Sequence, residues 1–464
     1  MASWVVSELI QADFGDTRLS DRLIKFVEAV ADAPESGIPA ACGSQGTKSA
    51  YRFLSNPKVQ ADKILASHAA AAVQRARQHD VVLAAQDTTT FSFPHHPSKK
   101  DLGTVNAQRH SRGMFLHSTL LLSAEGIPLG VLHQEMWSRR PEDFGQAKDR
   151  RKRPLAEKES RRWITSLEAV QRALPDQKRV VLIGDRESDL FGLFVAPRAS
   201  HVHLLVRVAC KTRRVEHPDK HLYAAVKNGP VRGQVELLLP RGDDRPSRTA
   251  LLTIRWASLE VRPPSHYPRA RRVAPVRLQF VLAEEENPPP GEKAVCWLLA
   301  TTLPVENWED ALSCLNWYTY RWRIERLHFV LKSGCRIEQL QLETFERLQR
   351  AIACYLVVAW RLMWLLYQSR QTPDRSCEGI LETHEWQALH ARMRPREPLP
   401  DRPPSLREAV RMIAQLGGFL ARKRDGEPGL KTLWRGLRRL EDLALGWRLA
   451  RHHRSPPRKL ARYG

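Results

Sequence analysis

The sequence predicts an α/β protein, a mixed sheet flanked by helices, interrupted by a β-rich segment and bracketed by helical units. Three observations carry this. Apolar runs of strand length (Val81 to Ala85, Phe115 to Leu122, Ile127 to His133, Arg179 to Gly184, His201 to Val208) give way to alternation with helical periodicity. Short alternating runs at Val235 to Leu239, Ala250 to Trp256 and Val276 to Leu282 are separated by Pro- and Arg-rich turns such as Pro263-Pro264-Ser265. Helical stripes occupy both ends of the chain.

The elements follow in order. Leu19, Leu23, Phe26, Val27 and Val30 recur at helical spacing, and Ala50, Phe53 and Leu54 begin a second stripe. Arg18, Arg22, Lys25, Lys48 and Arg52 leave this small unit with exposed basic positions. Ala124-Glu125-Gly126 separates two strands as a hairpin break, and a charged helix is expected around Ala156 to Leu174. Trp297 to Thr301 should resume the core sheet, followed by long helices from about Glu306 to Ser333 and from Phe345 to Tyr367. A Pro/Arg linker, Arg394 to Pro404, precedes a final helical unit. The expected domains are 1–70, 71–390 with a β-rich insertion at about 212–294, and 391–464.

The 464 residues include 74 Lys and Arg against 51 Asp and Glu, a net charge of +23. With 42% apolar and 27% charged residues the chain can bury a large core, which excludes collagenous, disordered and disulfide-rich secreted classes. The charge points to a polyanionic partner without choosing DNA, RNA or anionic lipid. Seven scattered cysteines with no CxxC pair suit free thiols in a reducing compartment. No signal peptide is read at the N-terminus. The most apolar stretch, Ala351 to Tyr367, carries Arg361 and is short of the roughly 20 residues of a membrane span, so it is expected to be a buried core helix. The expected location is cytoplasmic, with no membrane partner.

Carboxylates stand where metals could sit. Asp87 ends the run Val81 to Gln86, and Asp185 ends Val180 to Gly184. In open α/β sheets the carboxyl ends of strands hold ligands, although either Asp could equally be a cap. Taking Tyr318 as zero on a continuous helix, Arg321, Glu325 and Lys332 fall at roughly −60°, −20° and −40°, one polar stripe. Leu315, Trp322, Ile324, Leu327 and Leu331 take the other faces. A Glu that holds a cation beside groups that hold phosphate oxygens suits a metal-bound phosphodiester, and a solvated i,i+4 salt-bridge face suits the same pattern.

The spacing Tyr318-(2)-Arg321-(3)-Glu325-(6)-Lys332 resembles the signature of DDE transposases of the bacterial insertion-sequence-four group, and within it the Tn-five type. Asp87 in Gln-Asp-Thr-Thr and Asp185 in Gly-Asp-Arg-Glu-Ser-Asp sit where that group has its first two catalytic aspartates. Ala50-Tyr51-Arg52-Phe53, Ser111-Arg112-Gly113, Leu132-His133-Gln134-Glu135 and Leu416-Gly417-Gly418-Phe419 extend the likeness over nearly the whole chain. It implies a ribonuclease-H-like catalytic core with a β-rich insertion, an N-terminal helical unit that binds transposon ends, and a C-terminal helical unit that dimerises. Asp87, Asp185 and Glu325 would bind two Mg²⁺, with Mn²⁺ as a substitute. In that family the transferred strand is nicked, its 3′-OH forms a hairpin, the hairpin is reopened, and the 3′-OH joins target DNA.

The same resemblance implies phosphate or DNA contacts for Tyr318, Arg321, Lys332 and Arg207. It implies base stacking for Trp297 and Trp322, although Trp297 in an apolar strand could be plain core. Arg18, Arg22, Lys25 and Arg52 match or lie beside the end-binding region, while Leu19 and Ser55 replace Arg and point to a different terminal repeat. His95-His96, His201/His203 and His452-His453 lack zinc-type spacing. The alternative is a transposase-derived DNA-binding regulator without cleavage activity. A different two-metal nuclease is disfavoured by the Tyr-Arg-Glu-Lys stripe, and a carboxylate-pair glycosidase by the unexplained positive charge.

Overall fold

The computed structural model describes residues 4–94, 96, 98–105, 112–139, 157–239, 247–265, 267 and 270–452. The chain divides into two compact units. One comprises Ala69–Pro94 with Leu102–Glu325; the other comprises Met1–His68, His95–Asp101 and Arg326–Gly464.

The first unit is built on a sheet of β1 (Val81–Ser92), β2 (Gly103–Thr104), β3 (Arg112–Ser123), β4 (Pro128–Trp137), β5 (Arg179–Gly184), β6 (Val202–Arg207), β7 (Gly233–Leu239), β8 (Arg248–Val261), β9 (Val276–Glu284) and β10 (Cys296–Thr301). Its path is β2-β3-β1-β5-β6-β10-β9-β8-β7, with β4 also on β3. β1 pairs parallel with β5, and β5 with β6. β4 and β1 each run antiparallel to β3, which lies between them. That order, three antiparallel strands and then two parallel ones, is the ribonuclease-H-like core the resemblance implied. The insertion does not form a separate sheet. Because β10 runs antiparallel to β6, β9, β8 and β7 extend the same sheet beyond it.

The apolar runs at 82–85 and 180–183 are fully buried, as central strands covered on both faces must be. The Arg162–Ala173 helix lays Trp163, Leu167 and Val170 into a core with Val82, Ala84, Val180 and Leu182. Gly126, at φ +83°, turns β3 into β4, and a Cβ there would stand 2.8 Å from the Tyr320 ring.

A single long helix over 306–333 is not observed. The Trp308–Thr319 helix, capped by Asn307, ends where Tyr320 and Arg321 donate their N–H groups to the carbonyls of Trp317 and Tyr318, three residues back. This tightened turn resets the helical phase before the Trp322–Phe329 helix begins. A π-helical turn, Val330–Gly334, comes next and widens the coil again: Cys335 N–H donates to Val330 O, five residues back. Trp322 is exposed and not buried with the other apolar positions: at 100° per residue it stands about 160°, 140° and 180° around from Ile324, Leu327 and Leu331, which are buried, as is Leu315.

The second unit is helical. Thr17–Asp32 is capped by Asp16, and Ile38–Ser55 is kinked at Gly43. Phe345–Gln371 is long and apolar enough to span a membrane by length and composition, yet 89% of its most apolar window is buried in the protein. Arg361 within it lies over the rings of Trp4 and Trp364 and donates to Ile380 O. The Thr383–Met393, Leu406–Leu416 and Leu430–His452 helices complete this unit. All seven cysteines are free thiols.

Gly184, which ends β5, has no room for a side chain: a Cβ there would stand 2.7 Å from Ser188 Cβ and closer still to its hydroxyl. Gly184→Ala should therefore cost about 1–3 kcal/mol of stability by overpacking. The expected readout is a lower urea midpoint for Gly184→Ala, recovered in large part by adding Ser188→Gly; an unchanged midpoint would contradict the crowding.

Candidate active site

The backbone ladder between β1 and β5 ends at Ala85 paired with Ile183. Asp87 and Asp185 each lie two residues further on, so parallel register brings them to the same level. Asp87 does not end its strand, as the sequence suggested. β1 continues to Ser92 because β3 keeps pairing with it, Asp87 opposite Ser118. A mid-strand position excludes a capping role for Asp87. Asp185 does end its strand, and it caps the short turn Arg186–Ser188 by accepting the Glu187 N–H at 2.9 Å.

The two aspartates sense each other. Burial pushes the Asp185 carboxyl above its ordinary pKa, and the charge of Asp87 pushes it further; the Glu187 N–H, Arg321 and Arg162 pull it back. Arg321 is buried and donates from Nη2 to Glu325 Oε1 at 2.6 Å. Burial opposes its charge, yet Tyr318, Glu325 and Asp87 together hold its pKa above normal. Asp87, Asp185 and Glu325 thus converge on one buried guanidinium. Among the described residues no three His, Cys, Asp or Glu side chains are already grouped as a metal cage. Glu325 is instead paired with Arg321, four residues before it. The donor set, three carboxylates with the pKa of Asp185 raised by burial and by its neighbour, fits a hard divalent ion.

Tyr318 lies fully buried, and its hydroxyl forms no hydrogen bond of normal geometry, although the Arg321 and Arg207 guanidinium groups stand near enough to act on it. Burial raises the phenol pKa, against the pull of Arg321 and Arg207. Trp297 meets it edge-on, centroids 5.7 Å apart. Trp297 is only half-buried, unlike its strand neighbours Leu298, Leu299 and Ala300. Arg207, at the end of β6, donates to Cys296 O at 3.3 Å and so lies beside Trp297 in space. Trp322 is 51% exposed, and the Arg321 guanidinium sits 4.9 Å from its ring centroid. Lys332 is half-buried in the π-helical turn and belongs to the other unit.

Three residues without a role in the sequence analysis stand around the aspartates. Arg162 Nε donates to Thr88 Oγ1 at 2.8 Å, and its Nη2 donates to Glu187 Oε2 at 2.5 Å. Glu187 stood inside the quoted Asp-Arg-Glu-Ser-Asp run, but Arg162, 25 residues away, had no signal there. Asp189 is buried, pairs with Arg213, and accepts the N–H groups of Ala209 and Cys210, which ties down the chain leaving β6.

On the Thr17–Asp32 helix, Arg18, Arg22 and Lys25 share an arc of roughly 60° away from the buried Leu19, Leu23 and Val27. Arg18 is held by Asp16, while Lys25 and Arg52 are exposed and Arg22 is half-buried. His201 and His203 bond to the backbone carbonyls of Leu174 and Thr302. His95, Ser111 and His453 lie outside the described residues.

Asp87, Asp185 and Glu325 all fall within the match to a family model described as the transposase DDE domain, which covers residues 83–360. The chain belongs to the DDE transposase family. Two further models match this transposase, transposase DNA-binding at residues 1–59 and the transposase Tn5 dimerisation domain at 357–456. It is therefore a Tn5-like, DNA-binding and DNA-cleaving enzyme of a family that depends on divalent metal. A cryo-EM structure of a piggyBac transposase synaptic complex with hairpin DNA is also similar at 8% identity, with a TM-score of 0.36 over 99% of this chain and 76% of that one. That likeness is too distant to bear on the fold.

The buried Tyr318 hydroxyl gives a test that separates function from folding in this transposase. Tyr318→Phe removes a buried polar atom that lacks a hydrogen bond of normal geometry, so its thermal midpoint should be equal to or above that of the unmodified protein. End cleavage should nevertheless fall about tenfold or more if the hydroxyl donates to a phosphate. A destabilised Tyr318→Phe, or one that cleaves at full rate, would contradict this assignment.

Proposed function

We propose that the chain is a cut-and-paste transposase that binds terminal inverted repeats, frees the transposon ends through a hairpin, and joins their 3′-OH groups to target DNA. The single observation that carries this reading is Asp87 and Asp185 at the same level of two parallel strands, with Glu325 drawn to the Arg321 that senses Asp87. Asp87, Asp185 and Glu325 would hold two Mg²⁺, or Mn²⁺ in its place. When bound, such a pair supplies activation of water or a 3′-OH and charge stabilisation at the leaving oxygen of an in-line displacement.

The protein's own groups do the rest. Arg321, buried beside the acids, is placed to meet a scissile phosphate once Glu325 turns to metal. The Tyr318 phenol stays protonated because it is buried, so it donates a hydrogen bond to phosphate and is not a nucleophile. Arg207 and Lys332 add positive charge for the DNA backbone. Trp322, half-exposed, and Trp297 offer ring faces for bases unstacked at the bend of a hairpin. Arg18, Arg22, Lys25 and Arg52 would set the register of the N-terminal unit on the end sequence through phosphate contacts. The synaptic complex would be a homodimer, working in the bacterial cytoplasm on nucleoid DNA.

The test uses a labelled duplex carrying the element's own end, taken from the DNA that flanks the coding region, with nicked, hairpin and strand-transfer products resolved. Glu325→Gln should bind this end as the unmodified protein does and lose product by orders of magnitude. Chelation should abolish all products, and Mg²⁺ or Mn²⁺ should restore them. With a net charge of +23, end binding should also fall steeply and linearly on a log–log plot against salt. Cleavage by Glu325→Gln would overturn the site, and binding without cleavage by the unmodified protein would promote the regulator.

A further inference from the structure

We infer that Arg162 is a positioning residue that holds the two catalytic aspartates in register where the sheet no longer does. The inference rests on the proposed active site. Its starting point is a gap: the backbone ladder between β1 and β5 stops at Ala85 and Ile183, so no strand pairing links the chain segments that carry Asp87 and Asp185. Arg162 spans that gap with one side chain. Its Nε donates to the hydroxyl of Thr88, the residue after Asp87. Its Nη2 donates to the carboxylate of Glu187, whose own N–H is the one Asp185 accepts. Its Nη1 donates to Glu159 O at 2.9 Å, so each guanidinium nitrogen has an acceptor.

The surroundings suit a fixed strut. Arg162 is 8% exposed, and all three of its guanidinium nitrogens are already committed to acceptors within the protein. It lies over the rings of Trp137 and Trp163, 5.6 and 5.5 Å from their centroids. Beneath it Thr88, His117 and Glu135 are register partners across β1, β3 and β4 and share one face of the sheet. Thr88 Oγ1 also meets His117 Nδ1 at 2.9 Å, and the His117 ring stands edge-on to Trp163. The planar fork of Arg162 is required, because a lysine ammonium is a single point that cannot reach Thr88 and Glu187 in this geometry.

The experiment compares Arg162→Gln, Arg162→Lys, Glu187→Ala and the Arg162→Gln/Glu187→Ala double variant in full-length protein. It reads end affinity, single-turnover nicking of the labelled end, and Mn²⁺ binding to DNA-free protein by electron paramagnetic resonance. Outer partners of metal-binding groups affect affinity or rate by about 10–100-fold. Arg162→Gln should show a loss of that size in nicking and in Mn²⁺ affinity, with end affinity within about twofold. Arg162→Lys should resemble Arg162→Gln, and the double variant should be no worse than Arg162→Gln alone. Rescue by lysine, or independent multiplication of the two single effects, would overturn the strut. Should Arg162→Gln fail to fold, Glu187→Ala decides, since alanine removes the acceptor that glutamine would keep and the Glu187 side chain is 63% exposed; full nicking and Mn²⁺ binding there would overturn it too. Asp185→Asn is the control. If it nicks normally, the proposed active site itself fails and the strut with it; if it is inactive while Arg162→Gln nicks and binds Mn²⁺ normally, only the strut fails.

Discussion

The parallel pairing of β1 with β5 is the constraint on which the site depends. Two adjacent parallel strands advance together, so residues equally far past the last paired positions, Ala85 and Ile183, arrive at one level. Asp87 and Asp185 therefore face each other without either having chosen its partner. Burial first, and the charge of Asp87 after it, raise the pKa of Asp185, a standing electrostatic cost of the site. A buried cation must answer it, and Arg321 does so here with Glu325 as its partner.

The second constraint is the break in the helix that delivers Tyr318, Arg321 and Glu325. A regular helix would carry all three on one stripe. The tightened turn at Tyr320 and Arg321 rotates the Trp322–Phe329 helix relative to the one before it, and Gly126 leaves room for the Tyr320 ring there. Tyr318 is buried against Trp297, Arg321 stays within the electrostatic reach of Asp87, and Trp322 is open to solvent. The π-helical turn at Val330–Gly334 is a second departure, and such turns recur at functional sites.

Much of this was legible in the chain itself. The apolar runs at 81–85 and 179–184 announced buried strands, and the stripe of Leu19, Leu23, Phe26 and Val27 announced the first long helix, because burial writes its period into the sequence. Arg361 correctly argued against a membrane span: it lies over two tryptophan rings inside the helical unit. The extent of β1 was misread, because Asp87 and the three threonines after it look like a turn until β3 pairs with them. The insertion could not be assigned to the main sheet, because alternation reports strands and not their neighbours. Arg162 was invisible for the same reason, since a long-range hydrogen bond leaves no local period.

The sequence by itself determined the types of element, the basic character and the set of acids and cations that handle phosphodiesters, since these depend on local periodicity and residue chemistry. Only the tertiary structure decided that Asp87 sits mid-strand, that Arg321 answers the charges of both Asp87 and Glu325, and that Arg162 links Thr88 to Glu187. Those facts depend on strand register and on the phase of one broken helix, and register is set by contacts between residues far apart in the chain.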